Sequence, residues 1–112
     1  MSEKQYEVRI TDFALEAVHD IASYIASVLF NDAAAVRWLE KILATVNSLS
    51  YFPERIPLIP EEPWRSIGVR RLTVENHYLY FWIDEEQTCV HVIDVVYQRM
   101  DQVKRLLHTP LI

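Results

Sequence analysis

The stretch CVHVIDVVYQRMD, residues 89–101, decides the fold. Its first nine residues are rich in valine and isoleucine and read as an alternating apolar strand. The strand runs out into Tyr97, Arg99 and Asp101, so an aromatic ring, a cation and a carboxylate sit at its exit, on the rim of a sheet. Two further strand-like runs precede it, residues 68–74 and 77–83, with Glu75 and Asn76 as the turn between them and residues 84–88 as the next turn.

Upstream, residues 6–10 alternate apolar and charged side chains, as a half-buried strand does. Thr11 or Asp12 then offers an oxygen to the first amides of a helix. Ala14, Val18, Ile21, Ile25 and Val28 recur at three- and four-residue steps and predict a helix over residues 12–29. Asn31 and Asp32 break that run and cap the next, in which Ala35, Trp38, Leu39, Ile42, Leu43, Val46 and Leu49 form an apolar stripe. So short a break predicts an antiparallel helical hairpin. Pro53, Pro57, Pro60 and Pro63 argue against helix or central strand in residues 52–65. A short helix over 101–107 finishes the chain. The expected fold class is α+β, in the order β-α-α-β-β-β(-α), with the hairpin packed on one face of a mainly antiparallel sheet. Residues 1–112 form one domain.

Composition narrows the function. Hydrophobic residues make up 51% of the chain, which argues against disorder. No apolar run approaches the roughly 20 residues that cross a bilayer, and the first residues lack the basic-then-apolar order of a signal peptide, so a cytoplasmic protein without membrane contact is expected. Cys89 is the only cysteine, which leaves no internal disulfide and no thiol cluster for zinc. Gly68 is the only glycine, so there is no glycine-rich phosphate loop. No metal and no cofactor are expected. A net charge of −5 weakens a general case for nucleic acid. Residues 61–62 and 84–86 are acidic clusters, whereas Arg65, Arg70, Arg71, Arg99, Lys104 and Arg105 leave room for a local basic patch.

The chain resembles the RelE/ParE superfamily, the toxins of bacterial type II toxin–antitoxin modules. The resemblance rests on YEVRIT followed by Ala14, Ile21, Tyr24 and Ile25; on Leu49, Pro53 and Arg55 after the second helix; on GVRRL at 68–72 before a tyrosine-rich strand; and on the ending V-x-V-I-x-V-x-Y-x-R-x-D. Many relatives carry two consecutive arginines before that aspartate, where this chain has Arg99 and Met100, and a histidine where Tyr97 stands. Nuclease members usually carry several cations around the sheet, and here no lysine occurs from 42 to 103.

The resemblance implies a toxin that arrests growth by ribosome-dependent endonucleolytic cleavage of mRNA. The alternatives are a ParE-like inhibitor that binds DNA gyrase without catalysis, and a weakly active relative that still binds its antitoxin. If Leu79, Phe81 and Ile83 face the helices, Tyr78, Tyr80 and Trp82 share the opposite face, which is expected to be open. Strict alternation in the last strand groups Val90, Val92, Asp94 and Val96 on one side, and Cys89, His91, Ile93, Val95, Tyr97 and Arg99 on the other. At most one of Arg70 and Arg71 points fully away from the core. For metal-free RNA cleavage, Tyr97 or His91 would act as acid and base, and Arg71 and Arg99 would clamp the phosphate. Tyr80 or Trp82 would stack an unpaired base. Each residue also has a structural role to weigh. Tyr97 can end a strand, His91 can sit in a core, Asp101 can pair Arg99 or cap a helix, and Arg70 and Arg71 can pair with Glu61, Glu62 or Glu75. Tyr78, Tyr80 and Trp82 serve equally as a protein-binding patch. The cognate antitoxin is the partner common to every reading. It is expected on that aromatic face and along open apolar residues of the hairpin such as Phe30 and Val36.

Overall fold

The computed structural model describes residues 4–112, and its elements follow the sequence pattern closely. Strand β1 (Glu7–Ile10) leads into α1 (Asp12–Ser23), whose N-cap Thr11 accepts from the Ala14 amide at 3.1 Å. The expected single helix to residue 29 changes character at Tyr24. Residues Tyr24–Val28 are π-helical, with the Leu29 amide reaching the Tyr24 carbonyl at 3.2 Å. The Ser27 hydroxyl donates to the Ser23 carbonyl at 2.6 Å, a side-chain bond that competes with the regular ladder. Phe30, at φ 53°, ends the segment. Helix α2 (Asp32–Ser48), capped by Asn31, buries Ala35, Trp38, Ile42 and Val46, while Leu43 stays exposed.

The proline-rich connection holds a 3-10 turn, Pro53–Arg55, and a short helix α3 (Trp64–Ile67), where no helix was expected from the proline spacing. Pro53 stands at the first position of the 3-10 turn and Pro63 caps α3, where a missing amide is no loss. The Glu62 carboxylate accepts from the Ser66 amide at 2.8 Å, and Gly68 closes α3 at φ 105°. Strand β2 (Arg70–Val74) therefore begins later than residue 68. Glu75 and Asn76 both take positive φ, 46° and 65°, in the two-residue turn to β3 (His77–Asp84). Strand β4 (Cys89–Tyr97) and α4 (Gln102–Leu106), capped by Asp101, complete the chain.

The sheet has four strands in the order β1-β4-β3-β2, with β1 parallel to β4 and the other pairs antiparallel. The hairpin covers one face through Ala14, Trp38, Ile42, Val46, Leu49, Leu79, Phe81, Val90, Val92 and Val95. The opposite face is not open. Ile59, Trp64 and Val69 from the connection, and Leu106 from α4, close over Tyr80, Ile93 and Val96 as a second core. Large side chains alternate on both faces of β3 and β4, and exposing either set to water would forfeit about 1.5–3 kcal/mol per residue.

A β-bulge lies between these faces. Tyr80 pairs with Asp94 but Phe81 pairs with Val92, so Ile93 is an extra residue in β4. Alternation therefore changes phase: Val90, Val92 and Val95 face the hairpin, while Ile93 and Val96 face the second core. The strict two-sided grouping of β4 fails at that residue. The bulge turns Asp94, which is 0% exposed, toward α4. Its carboxylate accepts from Arg105 Nε at 2.7 Å, Arg105 Nη2 at 3.0 Å, Thr109 Oγ1 at 2.8 Å and the Val95 amide at 2.9 Å.

Two substitutions test these cores. Leu49→Ala, at 0% exposure, should cost about 3 kcal/mol. Arg105→Ala, which strands the buried Asp94 charge, should also cost about 3 kcal/mol. Urea unfolding read at constant m-value gives both, and a loss below about 1 kcal/mol for either would remove the role assigned to that residue.

Candidate functional site

The residues singled out by the sequence fall into two separate places. On the second-core face, the Arg71 guanidinium lies 4.3 Å over the Tyr78 ring and 3.8 Å from Glu61. Tyr80 is fully buried and donates to Gln102 Oε1 at 2.7 Å. Burial pushes its hydroxyl above the ordinary tyrosine value, against the opposing pull of Arg71, which makes it harder to ionise. The Trp82 indole donates to the Leu111 carbonyl at 2.7 Å, which ties the chain's own tail to this face. His91, 5% exposed, stacks on Trp82 at 4.6 Å with Nε2 3.3 Å from Asp84. Beside it the Cys89 thiol is pushed up by burial and is inert. Arg70 donates to the carbonyls of Glu54 and Ile56 and pins the connection to β2.

Tyr97 lies elsewhere. The bulge has carried it to the hairpin side, away from His91, with its ring 5.5 Å from His77. His77 in turn meets the Trp38 ring at 5.3 Å, and its Nδ1–H donates to the Glu75 carbonyl at 2.8 Å. The carbonyl can only accept, so Nδ1 carries a proton. The His77–Tyr97 pair went unnoticed in the sequence, although counting back from the two turns places these residues opposite one another. Arg99 is exposed, and among the described residues it has no ion-pair or hydrogen-bond partner. Asp101 does not pair with it but caps α4, accepting from the Lys104 amide at 3.1 Å.

Tyr97 belongs to a groove of about 660 Å³ between the second half of α1 with its π-helical extension and the exit of β4. Ile21, Tyr24, Ile25 and Leu29 form one wall, and Val95, Val96, Tyr97 and Met100 the other. Asp20, His77 and Arg105 are the titratable groups along it besides tyrosine. Tyr24, Leu29, Tyr97 and Met100 are each at least 43% exposed, so apolar surface lies open at its mouth. Phe30 and Val36 stand beyond it, 91% and 54% exposed. Chemically this is a surface for contact. Its walls are mostly apolar, its polar groups are few, and Asp20 and His77 are not hydrogen-bonded to one another.

Residues 8–102 match the family model described as the ParE toxin of the type II toxin–antitoxin system parDE. The fold is similar to that of the chromosomal ParDE toxin–antitoxin system from P. aeruginosa, with a TM-score of 0.68 and 20% identity over 84% of this chain and 97% of that one. It is also similar to the toxin–antitoxin complex RelBE2 from Mycobacterium tuberculosis, with a TM-score of 0.54 and 22% identity over 86% of this chain and 97% of that one. A mutant of the E. coli toxin RelE in the free state gives a TM-score of 0.52 and 14% identity over 90% and 92%. No curated protein matches the chain. A helical hairpin on a four-stranded sheet, with the family match running from β1 into α4, makes this chain a member of the ParE toxin family within the RelE/ParE superfamily of type II toxins.

Proposed function

We propose that this toxin acts without catalysis, by binding DNA gyrase, and that a cognate antitoxin holds it inactive. The observation that carries the reading is the separation of the acid–base candidates: His91 is sealed under Trp82 on one face of the sheet, and Tyr97 opens on the other. General acid–base cleavage of RNA needs both groups within reach of one phosphate, with cations around it. Arg71 is stacked on Tyr78 beside Glu61, and Arg99 stands alone, so no pair of arginines is aimed at a common point with either candidate. Blocking an enzyme by contact asks only for a stable apolar surface, which the groove provides. Both structural neighbours named as ParDE and RelBE2 are toxin–antitoxin systems, which supports the antitoxin as second partner.

The test uses the purified chain in two assays. Added to a gyrase supercoiling reaction, it should inhibit supercoiling. In a ribosome-containing translation extract it should leave transcripts full length. Truncated transcripts with unimpaired supercoiling would establish the nuclease instead. A variant separates the readings inside cells. Arg71→Gln should retain growth arrest within about twofold, because a guanidinium stacked on Tyr78 touches no target here, whereas loss of a phosphate clamp in a nuclease costs about 10²–10³ in rate. Filamentous cells with DNA-damage signalling are the expected phenotype on induction without antitoxin.

A further inference from the structure

The sequence and the structure disagree about one turn. Ile21, Ile25 and Val28 stand at four- and three-residue steps, the spacing of one face of a continuous α-helix. Ile21 and Ile25 do pack against the hairpin core, but Val28 is 54% exposed, because residues Tyr24–Val28 are wound as a π-helix. A π turn holds one residue more than the α turn it replaces. The Tyr24 carbonyl therefore accepts from the Leu29 amide at 3.2 Å, where an α-helix would bring the amide of Val28. Leu29 accordingly stands in the groove wall with Ile21, Tyr24 and Ile25, in the place Val28 would hold.

Three observations show that this winding is held under tension. Its backbone bonds are long: the Leu29 amide reaches the Tyr24 carbonyl at 3.2 Å and the Asn31 amide the Ile25 carbonyl at 3.3 Å, at or past the end of the ordinary N–H···O range. The Ser23 carbonyl, which in an α-helix accepts from the Ser27 amide, accepts instead from the Ser27 hydroxyl at 2.6 Å. Phe30 closes the segment at φ 53°, a left-handed conformation that suits glycine or asparagine and strains a bulky residue. Its ring is 91% exposed and recovers little by packing.

Rewinding to an α-helix reverses each of these. One residue passes from the helix to the connection, so the chain reaches the Asn31 cap of α2 with slack and Phe30 can leave the left-handed region. The Ser27 amide takes the Ser23 carbonyl. Val28 moves into line with Ile21 and Ile25, and Leu29 turns away from the wall by about 100°.

We propose that the end of α1 is a register switch, in which Tyr24–Val28 exchange between the π-helical winding and an α-helical one, with the Ser27 hydroxyl as the latch of the π state. The two registers present different side chains, Leu29 or Val28, across the groove from Val95 and Met100, so the switch sets the shape of the apolar wall. Helix register shifts of this kind run on the microsecond-to-millisecond timescale. The inference concerns the helix alone, so a positive or negative gyrase assay leaves it untouched.

The test is amide-nitrogen relaxation dispersion, with chemical-exchange saturation transfer on carbon, on the isotopically labelled full chain. The amides of Ser27, Val28 and Leu29 should share one exchange process with a minor state populated at about 1–10%, whose Cα shifts are α-helical. Ser27→Ala removes the latch and should raise that population about fivefold. Phe30→Gly relieves the left-handed strain and should lower it about tenfold. Both positions are exposed, and the two variants act in opposite directions, so a general loosening of the fold cannot imitate the pair. Flat dispersion at all three amides in both the unaltered chain and Ser27→Ala would overturn the proposal. So would populations that the two variants move in the same direction, or a minor state with random-coil shifts, which makes the motion a fraying of the turn.

Discussion

Much of this molecule depends on a carboxylate that cannot be buried unpaired. Asp94 sits in the centre of an otherwise apolar strand and is fully inaccessible. Alternation from Val90 and Val92 would send it into the hairpin core, where an isolated charge costs several kcal/mol and finds no partner. One extra residue, Ile93, reverses the phase and delivers Asp94 to Arg105 and Thr109. The bidentate pair fixes the start of the C-terminal segment, and the rest of that segment follows. Leu106 enters the second core, Gln102 receives the Tyr80 hydroxyl, and the Leu111 carbonyl receives the Trp82 indole.

That single phase change also divides the candidate residues. Upstream of the bulge, His91 shares a face with Trp82 and is sealed by the tail. Downstream, Tyr97 emerges on the hairpin side beside His77. A strand without the bulge would place both on one surface. The two candidate acid–base groups thus lie on opposite faces of the sheet, and what remains accessible at the exit of β4 is an apolar wall. Burial of the aromatic face and exposure of the strand end have one cause.

Much of this was legible in the residues. The alternation of β3 assigned Leu79 and Phe81 to one face and Tyr78, Tyr80 and Trp82 to the other correctly, because a regular strand has period two. The stripe of α2 and the turn at Glu75 and Asn76 were equally plain. The cover of the second face was not, since it is built from Ile59, Trp64, Val69 and Leu106, which carry no shared periodicity and meet only in three dimensions. The bulge did leave a sign. An aspartate in phase with core valines is a conflict between pattern and solvation, and strands relieve such conflicts by changing phase. Local helices at Trp64 and Tyr24 were hidden for other reasons: proline was read as excluding what it only begins, and side-chain competition at Ser27 has no periodic signature.

The edges of the sheet show which surface was left for partners. An open edge invites unwanted pairing, and proteins guard it with charge, irregularity or cover. Strand β1 carries Glu7 and Arg9, bonded to one another at 3.1 Å, on its outer side. Strand β2 is blocked at its start by the bridge from Leu58 to Arg70 and by the Arg70 bonds to the connection. The last residues of β4 have neither protection. A charged side chain is absent from Val95, Val96 and Tyr97, and the helix beside them stands back far enough to leave a groove of about 660 Å³. Guarding two edges while leaving the third apolar and unpaired is costly in solubility for a chain on its own.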